Sequence, residues 1–377
     1  MAVFGKFQLL EQIGGGRLSE VFRVGRIGRT GGPNVALKRV LPSLITEEQF
    51  VQLVVREAAM ITRLAHRNLC NCHEMGVIDG SAFLTLRLVD GCTLRAMMRR
   101  LSQLGVTLPT TAIIAVGQQL ASVLDYLHRR NPTPLVHLDL SPQNVMINRD
   151  GTIKLIDFGI ARYLDGHDPP PLAGKIAGTV GYMSPEQASG AALLDARADQ
   201  YGLGILLWEM CFTQRLFRGN TAETWRRMRT GDVPETEPLT PRPAELLSLI
   251  ARMLDPQPDR RLADLEAVRK ALEAQSSSTE SGVRPLSALV SRLVSDPEFD
   301  PFDKVNLAKH AVQPESSDVP TGEQPIVTAD GNGDGNPGDE YEELVIEVDQ
   351  GEGTPAAQVR SAVPELETPP VSPFLET

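Results

Sequence analysis

Apolar and polar positions alternate near the start of this chain. Phe7 to Ile13 and Ser19 to Val24 read as two strands, and Val35 to Val40 as a third in which Lys38 falls in phase with Ala36 and Val40. A charge on an apolar face needs a partner. Between Glu47 and Leu64, residues Phe50, Leu53, Val54, Ile61 and Leu64 follow the i, i+3, i+4 spacing of an amphipathic helix, with Glu57 inside the stripe. Burying either charge alone is costly, whereas a Lys38–Glu57 pair compensates both, so the two are expected to meet.

Further along, the helical period dominates. Thr110 to Arg129 is predicted as a long amphipathic helix and Ile153 to Ile156 as a short strand. An apolar helix is expected through Met210, opened by Asp199, which reads as a helix cap. The longest apolar stretch, Leu203 to Phe212, contains Glu209 and suits a buried helix rather than a membrane span. No secretory signal opens the sequence, and a cytoplasmic protein is expected.

Charge then divides the chain. Residues 1–275 hold 28 acidic and 32 basic side chains, whereas Ser276 to Thr377 holds 20 acidic and 5 basic, among many Pro, Gly and Ser residues. Such a segment buries too little apolar surface to offset the entropy of ordering, so a mostly disordered acidic tail, 276–377, is expected after a globular part, 1–275, that folds by itself. Two stretches stand apart. Leu286, Leu289, Val290, Leu293 and Val294 share one helical face suited to docking, and Glu343 to Val348 has the apolar centre of an added strand. Asp330 to Gly335 copies half of a calcium loop, but its twelfth position is Tyr341, so an acidic linker is the better reading. Cys70, Cys72, Cys92 and Cys211 lack zinc spacing and are expected as reduced thiols.

Three polar residues carry the chemistry. The run His137-Leu138-Asp139-Leu140-Ser141-Pro142-Gln143-Asn144 is followed by Asp157-Phe158-Gly159. One carboxylate to receive a hydroxyl proton and two hard oxygen donors for magnesium are the groups that phosphoryl transfer from a nucleotide requires. Upstream, Ile13 to Val21 is a hairpin whose Gly14, Gly15 and Gly16 present backbone unobstructed by Cβ atoms to phosphates. In this order and spacing, residues 7 to 273 resemble the protein kinase family, and in particular its bacterial-type serine/threonine kinases.

That resemblance implies an α+β, two-lobed fold. The N-lobe, about residues 1–89, is expected as a small antiparallel sheet of five strands with one main helix, and the C-lobe, 90–275, as mostly helical. The resemblance makes Asp139 the catalytic base, with Lys38 on the α- and β-phosphates, oriented by Glu57. Asn144 and Asp157 become metal ligands. Ile13, the three glycines, Val21, Ala36, Leu86, Leu88, Val89 and Met146 enclose the nucleotide, with Leu86 gating the adenine pocket and Arg87 to Val89 as its hinge. Thr179 is implied to hold Asp139 and the substrate. Asp199 is implied to bond the catalytic-loop backbone, and Glu186 to pair with Arg261, or with Arg260 in an alternative alignment. ATP, Mg2+ or Mn2+, and protein substrates follow, with autophosphorylation and a partner for the tail; no nucleic-acid or membrane partner is expected. The alternative is a pseudokinase, a nucleotide-binding scaffold acting through its tail.

Departures from the family pattern bear on regulation. Ser19 stands where a third glycine is usual, and Ser184 where an alanine precedes Pro185-Glu186. Leu138 replaces the arginine that grips an activation-loop phosphate in many kinases. No Ser or Thr lies between Asp157 and Gly178, only Tyr163, so receptor and phosphoacceptor are absent together. Ser141 replaces a lysine that neutralises the γ-phosphate in serine/threonine kinases. Thr354-Pro355, Thr368-Pro369 and Ser372-Pro373 place tethered hydroxyls within reach of the globular part as sites of self-labelling.

Overall fold

The computed structural model describes residues 2–304 and 343–347, apart from 17, 29–34, 47, 165–174, 192–193, 220 and 277–278. The disorder, calcium-loop and self-labelling expectations for the distal tail lie outside the described residues.

The first lobe is a curled antiparallel sheet of β1 (Val3–Phe4), β2 (Phe7–Gly15), β3 (Ser19–Arg26), β4 (Val35–Val40), β5 (Cys72–Ile78) and β6 (Ser81–Arg87), in the order β1-β2-β3-β4-β6-β5. It has one strand more than expected, because the two residues of β1 are too short to show alternation. The predicted limits of β4 match the structure. Helix α1 (Glu48–Ile61) crosses the sheet, and its stripe packs Val54 and Ala58 against Val40, Ala82 and Leu84.

A hinge leads into β7 (Gly91–Thr93), α2 (Leu94–Gln103) and α3 (Thr110–His128), the central helix of the second lobe. Strand β8 (Leu135–Val136) precedes the catalytic loop, and β9 (Val145–Asn148) with β10 (Ile153–Leu155) forms the hairpin beyond it. Strand β11 (Arg162–Tyr163) pairs with β8, and β12 (Lys175–Thr179) precedes the short helix α4 (Pro185–Ala188). Helices α5 (Arg197–Phe212), α6 (Thr221–Thr230), α7 (Ala244–Met253) and α8 (Leu265–Glu273) complete the bundle, with every residue of α5 from Ala198 to Phe212 buried. No helix among the described residues is long and apolar enough to cross a membrane.

The packed body does not stop at Gln275. Helix α9 (Thr279–Val294) lies on α3, with Leu286, Val290 and Leu293 buried in the same core as α3 and α5. The approach is close enough that a Cβ at Gly282 would collide with the carbonyl of Thr111. Ser287 Oγ donates to the Arg149 carbonyl at 2.6 Å, which fastens α9 to the β9–β10 hairpin. The expected boundary at 275 follows the composition, yet the docking stripe within that composition outweighs its surroundings. Far along the tail, β13 (Glu343–Glu347) pairs antiparallel with β12, Thr179 opposite Glu343 and Lys175 opposite Glu347.

A chain ending at Gln275 is therefore expected to unfold at lower temperature than one ending at Lys304, because it uncovers α3. Leu286→Ala in the full chain should cost about 2–5 kcal/mol, the range for a buried leucine truncation. Thermal and urea unfolding of the three proteins, compared with the unmodified chain, measures both effects; equal midpoints would show that α9 contributes nothing to the core.

Candidate active site

Strand β4 presents Lys38 and α1 presents Glu57 to one buried point between the lobes. Their Nζ and Oε2 atoms stand 2.7 Å apart, and Asp157 Oδ1 lies 2.9 Å from the same ammonium. Burial opposes the Lys38 charge, but Asp157 and Glu57 outweigh it and raise the lysine pKa above its ordinary value. Burial also acts on Asp157, yet the Lys38 charge and hydrogen bond win and lower its pKa. Glu57 moves upward, since burial outweighs its lysine partner. Its other oxygen accepts the Phe158 N–H at 3.3 Å, while Phe158 packs in the core beneath, edge-on to His137 with ring centroids 4.9 Å apart.

The catalytic loop is fixed from below. Asp199 lies inside the first turn of α5, whose N-cap is Ala196, so it is not the cap that its position suggests. Its carboxylate instead accepts the backbone N–H groups of His137 at 2.8 Å and Leu138 at 2.7 Å, with His128 Nε2 at 2.8 Å. Leu138 has φ 64°, in the left-handed region, and Gln187 Nε2 donates to its carbonyl at 2.8 Å. A non-glycine residue there costs of order 1–3 kcal/mol and persists only when its surroundings over-determine it.

Asp139 follows, aimed into the cleft. Its Oδ1 accepts from the Thr179 N–H at 2.9 Å and the Thr179 hydroxyl at 2.7 Å, and its Oδ2 accepts from Asn144 Nδ2 at 2.8 Å. Burial and the nearby Asp157 charge raise the Asp139 pKa despite those donors. The Asn144 amide nitrogen also donates to the Asp139 carbonyl at 2.8 Å, leaving its oxygen end as the available ligand. Among the described residues no cluster of three or more His, Cys, Asp and Glu is placed to hold a metal. Asp157 and Asn144 supply two hard oxygens, which fits magnesium held jointly by protein and nucleotide phosphates.

These groups line one cavity of about 270 Å³. Ile13, Gly14, Gly15, Gly16, Val21, Ala36, Leu86, Leu88, Val89 and Met146 surround it together with Lys38, Glu57, Asp139, Asn144 and Asp157. The sequence did not single out Thr93, Arg95, Gln143, Phe302 or Asp303, which line it too. Gln143 carried a usable signal, being next to Asn144; its Nε2 donates to Thr179 Oγ1 at 3.4 Å and its Oε1 accepts from Arg95 at 3.3 Å. Ser141 is fully buried below the loop rather than in the cleft, and its hydroxyl has no hydrogen-bond partner among the described residues. Thr179 and Glu186 are not in the cavity wall; Thr179 bonds to Asp139, which is. Arg261 reaches both Glu186 oxygens at 2.7 and 2.8 Å, so it and not Arg260 makes that pair. Cys92 and Cys211 are buried free thiols, with burial raising their pKa to about 12 and about 11.

Similarity to known proteins agrees with this geometry. The family profile described as protein kinase domain matches residues 7–273. Tyrosine-protein kinase MasK of Myxococcus xanthus is 29% identical over 297 residues, covering 76% of this chain and 46% of that protein. Serine/threonine-protein kinase Pkn1 of the same species is 30% identical, covering 71% and 38%. Serine/threonine-protein kinase PknD of Mycobacterium tuberculosis is 30% identical, covering 77% and 42%. The matched region spans less than half of each of these relatives.

Removing one member of a buried ion pair strands the other, so Arg261→Ala should destabilise the protein by about 3–5 kcal/mol. Arg260→Ala, outside the pair, should stay within about 0.5 kcal/mol. Urea unfolding midpoints decide the matter, and equal losses for the two variants would contradict the assignment.

Proposed function

Because the chain belongs to the protein kinase family, we propose that it is a serine/threonine protein kinase that transfers the γ-phosphoryl group of ATP to hydroxyls of protein substrates, its own among them. The observation that carries this reading is the convergence of Asp139, held by Thr179 and Asn144, with the Lys38–Glu57–Asp157 cluster in a single cleft.

The acceptor hydroxyl approaches Asp139, whose raised pKa makes it a better proton acceptor than a solvated aspartate. As the acceptor oxygen bonds to the γ-phosphorus, its proton passes to Asp139. The bond from phosphorus to the β,γ-bridging oxygen breaks, and ADP is left. Lys38, kept charged by its two carboxylates, holds the α- and β-phosphates, while the glycine-rich turn of β2 covers them. Asn144 and Asp157 would hold magnesium or manganese, which when bound neutralises phosphate charge and aligns the reacting groups. Thr179 ties the activation segment to the base, so acceptor docking and proton transfer share one anchor.

Leu138 supports activity that is independent of loop phosphorylation. It packs with Val136 and Ala198, and Ile160 and Leu194 close the cluster, so at position 138 itself an apolar contact stands in place of a guanidinium. The related MasK is named a tyrosine kinase, so the acceptor residue is part of the test.

Purified protein with labelled ATP and magnesium should label itself or a basic protein on Ser or Thr, identified by phosphoamino-acid analysis; label confined to Tyr would overturn the specificity. Lys38→Met, Asp139→Asn and Asp157→Ala should each lower transfer by about 100-fold or more. Full activity in Asp157→Ala would overturn the site assignment, whereas nucleotide binding without turnover in the unmodified chain would favour a scaffold.

The pH profile carries a further expectation. Protonated Asp139 accepts no proton, so kcat/KM should fall as pH drops through its pKa, with the acid limb above the ordinary aspartate value near ~4. An acid limb at or below that value would contradict the role given to Asp139. Phosphatase treatment should leave the rate nearly unchanged; loss restored by a phosphate between residues 162 and 175 would overturn the inference from Leu138.

A further inference from the structure

The chain that leaves α9 turns back to the mouth of the cleft. Arg100 anchors the turn through Asp296 at 3.0 Å, and Phe299 packs on the main core. The Pro301 carbonyl then accepts the Thr93 N–H at 2.9 Å, at the end of β7 and shortly after the hinge. Asp303 follows in the left-handed region, φ 56°, and is buried. Its carboxylate lies 2.7 Å from Arg95 Nε and also pairs with Arg99. Lys304 crosses to the other lobe and pairs with Glu11 on β2, just before the glycine-rich turn. Residues 300–304 thus bridge both lobes outside the hinge, and Phe302 and Asp303 form part of the cavity wall.

The position of this strap limits what it can touch. The adenine end of the cleft is apolar, built by Ala36, Leu86 and Met146, and the phosphate end holds Lys38, Asn144 and Asp157. The sugar of a nucleotide joins the two and must lie between them. Thr93, Arg95 and the strap line a part of the wall that follows the hinge. An exposed acidic linker would not bury an aspartate against two arginines, or place an aromatic ring in a cavity, without a packing role there.

We propose that residues 300–304 are a nucleotide-binding element of this chain. Phe302 walls the sugar section of the site, and Asp303 holds Arg95 and Arg99 so that the wall is formed. The proposal rests on the reading of the cleft as an ATP site. Through Lys304 and Glu11 the strap also ties the glycine-rich turn to α9, so bound nucleotide and docked α9 stabilise each other reciprocally.

Hydrogen exchange of the full chain with and without magnesium-ATP, joined to affinity measured with a fluorescent ATP analogue, tests this. Amides of Phe302, Asp303 and Lys304 should exchange at least tenfold more slowly with nucleotide. Phe302→Ala should weaken binding about three- to tenfold and raise KM for ATP while leaving kcat within twofold; Asp303→Asn should do the same with a larger effect. Protection of the hinge amides Leu88 and Val89 without protection of the strap, with unchanged affinity in both variants, would overturn the strap alone. Variants that only lower the unfolding temperature would overturn it equally. Failure of the unmodified chain to bind magnesium-ATP would overturn the cleft reading and the strap together.

Discussion

An ammonium group inside a β-sheet is the constraint from which the cleft is assembled. Lys38 is almost fully buried on β4 and needs negative charge within hydrogen-bonding distance. Glu57 supplies it from α1 and Asp157 from the loop after β10, so one cation positions a sheet, a helix and a segment of the other lobe. The same proximity has an electrostatic consequence for Asp139. Asp157 stays ionised beside the lysine, and its charge helps to raise the pKa of Asp139 across the cleft. The charge state at one end of the site thus tunes proton affinity at the other.

The catalytic loop obeys a different logic, that of backbone hydrogen bonding. Asp199 takes two successive N–H groups, and Gln187 holds the Leu138 carbonyl, which together keep Leu138 in a conformation that it would otherwise avoid. A leucine in that position then packs with Val136 and Ala198 in an apolar cluster. The underlying helix α5 thus supplies, through Asp199, the contacts that hold the loop.

How much of this is legible in the sequence depends on whether a local rule fixes the side chain's direction. The meeting of Lys38 with Glu57 is legible, because strand phase and helical stripe each assign a face and charge then demands the pair. The residues named for the cleft sit on the strands and helix of the first lobe and on the loops around β9 and β10, elements whose patterns and motifs the sequence displays. By local rules Asp199 reads as a cap, and only the family resemblance implies the role it takes, accepting the backbone N–H groups of His137 and Leu138. Phe302 and Asp303 are invisible for a related reason: their composition is that of a solvated tail, and their burial depends on where α9 leaves them. Strand β1 escapes through brevity alone, and the boundary at 275 misleads through averaging over a charge-rich stretch that contains one apolar stripe.

The pairing of β12 with β13 has a consequence in time. Strand β12 is translated long before β13, with helices α4 to α9 between them, so the ladder closes a very long loop. On the ribosome the N-terminal elements can pack while the edge of the activation segment still has no neighbour. During that interval the edge is open to any extended peptide with matching register, including another nascent copy of the chain. The order of synthesis therefore gives other strands the first opportunity to occupy the edge that β13 later covers.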